Sequence, residues 1–220
     1  MVYTQEFIES ILPMAAETQR KTSLPAAIMV AQAVLETGYG KHIIKNPQNG
    51  KSSFNLFNIK GEGPAGKILI STLEFNGDDL VKVDTYFRAY YTYAEAFSDY
   101  AKLILNNSRY ELAVAVAADP EKYAAQLQEC GYATDPQYAK KLLNITKEWN
   151  LIERVKQIVS AQEEIEFAAS EIPSAWAKES VKKAIASNVI IGYGEGIWMP
   201  RAPVTREMLA VILDRLGLLD

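Results

Sequence analysis

At 220 residues the chain is long enough for one ordinary domain and a smaller companion. A hydrophobic share of 49% and a charged share of 23% mark a folded globular protein. A net charge of −4, with an isoelectric point near 5.3, argues against nucleic acid or an anionic membrane surface as partner. Cys130 is the only cysteine and His42 the only histidine, which excludes an intrachain disulfide and speaks against a His/Cys metal centre. No apolar run approaches the ~20 residues of a membrane span. The N-terminus MVYTQEFIESIL lacks the basic start and apolar run of a secretory signal, so none is expected.

In chain order, Thr4 is placed to cap a first helix with Phe7, Ile8, Ile11, Leu12 and Ala15 on one face, and Pro13 is placed to kink it. Residues 23–42 are the most informative stretch. Ser23 reads as the cap of a helix that is apolar on almost every side, and Gly38 as its left-handed stop. Glu36 sits in the last turn and shares its stripe with Gln32, the other polar residue of the interior. A carboxyl group there meets both the negative end of the helix dipole and apolar surroundings, and each raises its pKa. A carboxylic acid kept protonated near neutral pH is what glycoside cleavage requires of its general acid. The alternative reading of Glu36 is a surface partner for Lys41.

Residues 39–66, rich in Gly, Asn, Pro and Ser, read as a structured loop. Inside it, Asn55, Phe57, Asn58 and Lys60 interleave aromatics with amides. That composition suits stacking on and hydrogen bonding to a sugar, and equally suits a loop pinned by buried rings. Residues 67–90 change to a strand pattern around Asn76-Gly77-Asp78-Asp79, which predicts a β-hairpin. Glu74 on that hairpin is either a second carboxylate for the acid/base pair of a glycosidase or an ordinary exposed strand residue. Helices follow at 94–105, about 110–118, 120–130 and 136–149, the last opened by the capping box Thr134-Asp135-Pro136-Gln137. A solvated linker helix is expected over 151–171. Residues 172–220 read as a helix–loop–helix unit too short to bury a good core alone.

Four segments occur in order: Ala33-Val34-Leu35-Glu36-Thr37-Gly38-Tyr39-Gly40-Lys41, Asn55-Leu56-Phe57-Asn58-Ile59-Lys60-Gly61, Phe87-Arg88-Ala89-Tyr90, and Gly131-Tyr132-Ala133-Thr134-Asp135-Pro136-Gln137-Tyr138-Ala139. Together they resemble the bacterial endo-β-N-acetylglucosaminidases of cell-wall autolysins and flagellar muramidase-like hydrolases. The resemblance covers about residues 5–150. It implies a mainly α-helical, lysozyme-like domain with a small β-hairpin lobe over 1–150, acting on the glycan strands of peptidoglycan without a cofactor. It further implies Glu36 as general acid, Glu74 as the carboxylate that activates water, and Tyr132 as a stabiliser of the reaction centre. Gln32, Asn55, Phe57, Asn58, Lys60, Tyr90 and Tyr138 become candidate substrate-binding residues. Asn58 stands where the family's loop motif usually has glycine. Muramidase or lytic transglycosylase action, or a wall-binding domain without catalysis, are the other readings.

Residues 172–220 resemble a single S-layer homology repeat, carried by Trp176, Ala184, Val189, Gly192-Tyr193, Pro200 and Val204-Thr205-Arg206-Glu207. This likeness implies an anchor for an anionic secondary cell-wall polymer through Trp176, Thr205, Arg206 and Glu207, and a single copy implies either homo-oligomerisation through that module or a weaker, degenerate anchor. The setting expected from the sequence is the bacterial cell wall, reached by phage-type release or after loss of a signal.

Overall fold

In the computed structural model the described residues are 2–76 and 79–170, together with Lys183, Ile212 and Leu213. Within the strands and the last long helix, the side chains at 72–76, 79–80 and 163–170 also lie outside the description. The chain divides into two compact units, Met1–Val159 and Ser160–Asp220. The first carries the site.

Helix α1 spans Val2–Thr22 and runs through Pro13. It begins ahead of Thr4, which is therefore an interior helical residue rather than the cap. Its buried face is the expected one: Ile8, Ile11 and Ala15 are fully buried, with Phe7 and Leu12 beside them. Ser23 closes α1 rather than opening the next helix. It adopts φ +62°, and its N–H donates to the Gln19 carbonyl at 2.7 Å.

Helix α2, Ala26–Thr37, is the centre of the unit, with Ala26 through Val34 all buried. Its N-terminus is capped from another helix: the Ala26 N–H donates to the Gln19 side-chain oxygen at 2.8 Å. That contact satisfies a helix-end donor a local Ser would otherwise serve. α2 packs against α1, and α1 in turn packs against α3, Tyr93–Leu105. Thr92 caps α3 by accepting the Glu95 N–H, and Ala96, Phe97, Tyr100, Ala101 and Ile104 form its buried face, in the phase the sequence predicts. Each large apolar side chain buried in this way contributes roughly 1.5–3 kcal/mol.

Between α2 and α3 stands the small lobe. Strands β1 (Lys67–Asn76) and β2 (Asp79–Arg88) pair antiparallel from Lys67 opposite Arg88 to Asn76 opposite Asp79. The unit is mainly helical with this one two-stranded sheet among the described residues.

After α3, a 3₁₀ turn at Ser108–Tyr110 leads into α4, Glu111–Ala115, shorter than the pattern predicts. After Ala115 the Val116 and Ala117 N–H groups return to the Ala113 and Val114 carbonyls, three residues back, and Asp119, held extended before Pro120 (φ −113°, ψ 104°), caps α5, Pro120–Glu129. The expected capping box at Thr134 is absent. Asp135 instead accepts the Gln137 N–H at 2.9 Å in a side-chain turn, and α6 starts only at Tyr138, running to Glu148. Helix α7, Leu151–Ser170, is not simply a solvated rod: Leu151 and Val155 are buried in the core cluster, with Ile152, Ile158 and Val159 packed on it. No helix among the described residues is long and apolar enough to cross a membrane.

Candidate active site

The end of α2 is built to hold one acid in place. Gly38 takes the left-handed conformation (φ +55°, ψ 51°) and returns its N–H to the Val34 carbonyl. Tyr39 and Gly40 continue at φ +62° and +78°, an unusual left-handed run for a chain containing a tyrosine. Thr37, fully buried, pins this turn. Its hydroxyl donates to the Ala33 carbonyl at 2.6 Å and accepts the Gly40 N–H at 2.8 Å, while its carbonyl accepts from the His42 N–H at 2.8 Å. A Cβ at Gly40 would approach a Phe7 ring carbon to 2.5 Å, so the turn lies tight against α1.

Glu36 projects from this last turn, half-buried. Loss of hydration raises its pKa above the ordinary carboxyl value, and a hydrogen bond from Asn58 partly opposes the rise. The Asn58 amide donates to Glu36 Oε2 at 3.0 Å and to the Glu36 carbonyl at 3.3 Å. Asn58 adopts φ +49°, the conformation that explains why glycine or asparagine suits the position.

The loop that carries Asn58 is fixed by Asn55. That amide is fully buried and uses all of its capacity: Nδ2 donates to the Ile59 and Arg88 carbonyls, each at 3.0 Å, and Oδ1 accepts from the Phe57 and Ile59 N–H groups. Backbone bonds from Gly61 N–H to the Tyr86 carbonyl and from Arg88 N–H to the Ile59 carbonyl lash the same loop to the base of the hairpin.

Opposite stands a group of tyrosines. Tyr132 follows Gly131 at the end of α5, half-buried, and stacks on Tyr138 with ring centroids 5.7 Å apart. Both phenols are held above their ordinary pKa, chiefly by burial and further by neighbouring groups that include the Glu36 carboxylate, so both stay neutral beside it. Glu36, Asn58, Tyr132 and Tyr138 are thus brought near one another.

Other expected contacts with a saccharide do not hold. Gln32 is fully buried; it donates to the Tyr138 hydroxyl at 3.0 Å and accepts from the Tyr100 hydroxyl at 2.6 Å. It supports the tyrosines and has no surface to offer a ligand. Asn55 is corrected in the same way, since its polar atoms are spent on backbone. Phe57 lies in the core, stacked on Tyr100 at 4.3 Å and edge-on to Phe97. The Tyr90 hydroxyl donates to Asp99 at 2.7 Å, the carboxylate that also pairs with Arg88 at 2.6 Å, so Tyr90 ties the hairpin base to α3. Tyr138 is itself almost fully buried and backs Tyr132. Lys60 alone of the expected loop residues is well exposed. Glu74 pairs with Val81 in the hairpin register, and its side chain lies outside the described residues. So do Trp176, Thr205, Arg206 and Glu207.

The family pattern named Glucosaminidase, described as mannosyl-glycoprotein endo-beta-N-acetylglucosaminidase, matches residues 12–151. The chain belongs to the glucosaminidase family. Among its relatives, the peptidoglycan hydrolase FlgJ of Pseudomonas aeruginosa is 42% identical over 154 residues, covering 68% of this chain and 38% of that protein. FlgJ of Escherichia coli K12 is 38% identical over 151 residues, 68% of this chain and 48% of that protein. The chain thus spans less than half the length of either. Among solved structures, a peptidoglycan hydrolase mutant from Sphingomonas sp. A1 is 40% identical, with a TM-score of 0.57 over 70% of this chain and 99% of that one. The catalytic domain of the Listeria monocytogenes autolysin Auto is 29% identical, with a TM-score of 0.61 over 70% of this chain and 88% of that one. The fold of this family member is accordingly the lysozyme-like one: helices around a buried α2, with a β-hairpin lobe.

Two supports of the candidate site escape sequence reading. Thr37 looks like any helix-terminal threonine until its three bonds are seen. Arg109, 22 residues before Gly131, donates its guanidinium to the Cys130 and Gly131 carbonyls at the end of α5, bracing the turn that presents Tyr132. No local spacing signals either contact.

Proposed function

We propose that the chain is a peptidoglycan hydrolase that cleaves the β-1,4 glycosidic bond after N-acetylglucosamine. The observation that supports this best is the half-buried Glu36 carboxyl, held at the left-handed exit of a buried helix with its pKa raised. Glu36 donates its proton to the departing glycosidic oxygen as the bond to C1 breaks. Glu74 on β1 assists the water that attacks C1, or the substrate's own acetamido oxygen attacks first and water then opens the product. Tyr132 faces the positive charge that develops at C1. Kinship with FlgJ-type hydrolases and autolysins supports the polymer as substrate.

Digesting purified peptidoglycan and identifying the fragments by mass spectrometry tests the linkage. New reducing-end N-acetylglucosamine is expected. New reducing-end N-acetylmuramic acid, or its anhydro form, overturns the assignment in favour of muramidase or lytic transglycosylase action.

Residues 172–220 act, in this proposal, as an S-layer homology-like anchor for a secondary cell-wall polymer, through Trp176, Thr205, Arg206 and Glu207, in an endolysin or autolysin that works at the bacterial wall. Arg206→Ala in the full chain should weaken retention on whole walls while leaving turnover of soluble glycan fragments intact, because a guanidinium is the natural grip for an anionic polymer. Unchanged retention in a sedimentation assay refutes the anchor.

A further inference from the structure

We propose that Asn58 is a positioning residue for Glu36, clamping the carboxyl group to the end of α2 and fixing which of its oxygens carries the proton. The proposal rests, for its catalytic consequence, on the reading of Glu36 as general acid. A single amide nitrogen bridges the Glu36 carbonyl at 3.3 Å and Glu36 Oε2 at 3.0 Å. A backbone carbonyl can only accept, so the side chain must present Nδ2 here and not Oδ1. The same geometry makes Oε2 an acceptor. In the neutral acid, the oxygen that accepts the amide proton is the carbonyl-type one, so the acidic proton resides on Oε1, the oxygen left free to deliver it.

The clamp is itself rigid. Asn58 lies one residue past Phe57 and one before Ile59, whose N–H groups both donate to the buried Asn55 side chain. Its backbone is left-handed at φ +49°. A glycine would satisfy that backbone equally well but would bring no donor. What asparagine adds at this position is the contact to the acid.

Among the described residues, Tyr132, from the turn after α5, and Tyr138, from α6, are titratable groups that face Glu36. Both phenols stay neutral, so they add no charge to compete with the amide. From the hairpin, Glu74 is the candidate named from the sequence, and its side chain lies outside the described residues. Within this set, the Asn58 amide favours the ionised carboxylate while burial favours the neutral acid. Removing the donor should therefore shift Glu36 toward the neutral form and carry activity to higher pH.

The test uses the full chain with its glutamate carboxyl carbons labelled with ¹³C. The Glu36 signal is assigned as the one missing from Glu36→Gln, and followed through a pH titration beside the pH profile of wall hydrolysis. In Asn58→Gly, the Glu36 midpoint should rise by about one pH unit, and the alkaline limb of the profile should move with it. Asn58→Asp keeps the shape and sets a second carboxyl against the first, so it should raise the midpoint further. A midpoint that rises while the profile stays put upholds the clamp and overturns Glu36 as the acid. A midpoint unchanged in both variants overturns the clamp, whatever the activity does.

Discussion

Glu36→Gln should lower the rate of wall hydrolysis by about a hundred- to ten-thousand-fold, the usual contribution of a positioned general acid. The substitution keeps an acceptor for the Asn58 amide and keeps the side-chain volume, so the site should retain its shape. The same change should make the fold more stable at neutral pH. The sign follows from the raised pKa: the native state holds the proton more tightly than the unfolded chain, whose carboxyl titrates near 4.5. The stabilisation that comes from a neutral Glu36 is complete below that value, and it is lost as pH rises through the native pKa. Glutamine never ionises, so the melting temperature of the variant should exceed that of the parent by a margin that widens above pH 4.5. Release of reducing ends and a pair of calorimetric scans, at pH 4 and pH 8, measure both effects. A variant as active as the parent sinks the catalytic assignment, and a margin that narrows with pH contradicts the buried-acid description.

Opposite effects on rate and stability are the mark of a residue retained for chemistry rather than for packing. The same contrast explains what the sequence reveals here and what it does not. α2 is legible because its apolar run needs no partner to be recognised, and Gly38 ends it where a left-handed residue is needed. The hairpin is legible from its change of period around Asn76. Glu36 stands out because a lone acid at the exit of such a helix has few structural uses. Gln32 in α2 and Asn55, Phe57 and Tyr90 beyond it are misread because polar and aromatic side chains look alike in sequence whether they face a sugar or the protein's own interior. Only the fold shows that the Gln32 amide meets two tyrosine hydroxyls across 68 and 106 residues of sequence. Caps borrowed from afar defeat local rules in the same way. Ser23 has the right chemistry to cap α2, yet Gln19 reaches over from α1 and does so, and Ser23 is spent on ending α1. Residues that position others are invisible for the same reason. Arg109 and Thr37 act through backbone groups, which every sequence contains.

The largest structural effect should come from Asn55, whose side chain is bonded to backbone at both ends. Its amide meets two carbonyls and two N–H groups with full burial, so it has the capacity of a small piece of secondary structure. Asn55→Asp preserves every atom position but sets a carboxylate oxygen 3.0 Å from the Ile59 and Arg88 carbonyls in place of a donor. Oxygen then faces oxygen twice in a dry site, and the ion can be tolerated only by protonation or by expulsion of the loop. A loss of about 3–5 kcal/mol at pH 8 is expected in urea unfolding, as when a buried charge loses its partner. Part of that loss should be recovered at pH 4, where a protonated Asp regains one donor. The sign is that of an acid whose native pKa is raised: stability returns as pH falls. Asn55→Ala should cost a similar amount at both pH values, since four backbone groups lose their partners without any titration. Hydrolysis should fall in both variants even where they remain folded, because the loop that Asn55 anchors is the one that holds Asn58 against Glu36. An Asn55→Asp protein as stable as the parent at pH 8 contradicts the buried four-bond arrangement. Stability lost without any loss of activity in the folded fraction breaks the link from Asn55 through Asn58 to the acid.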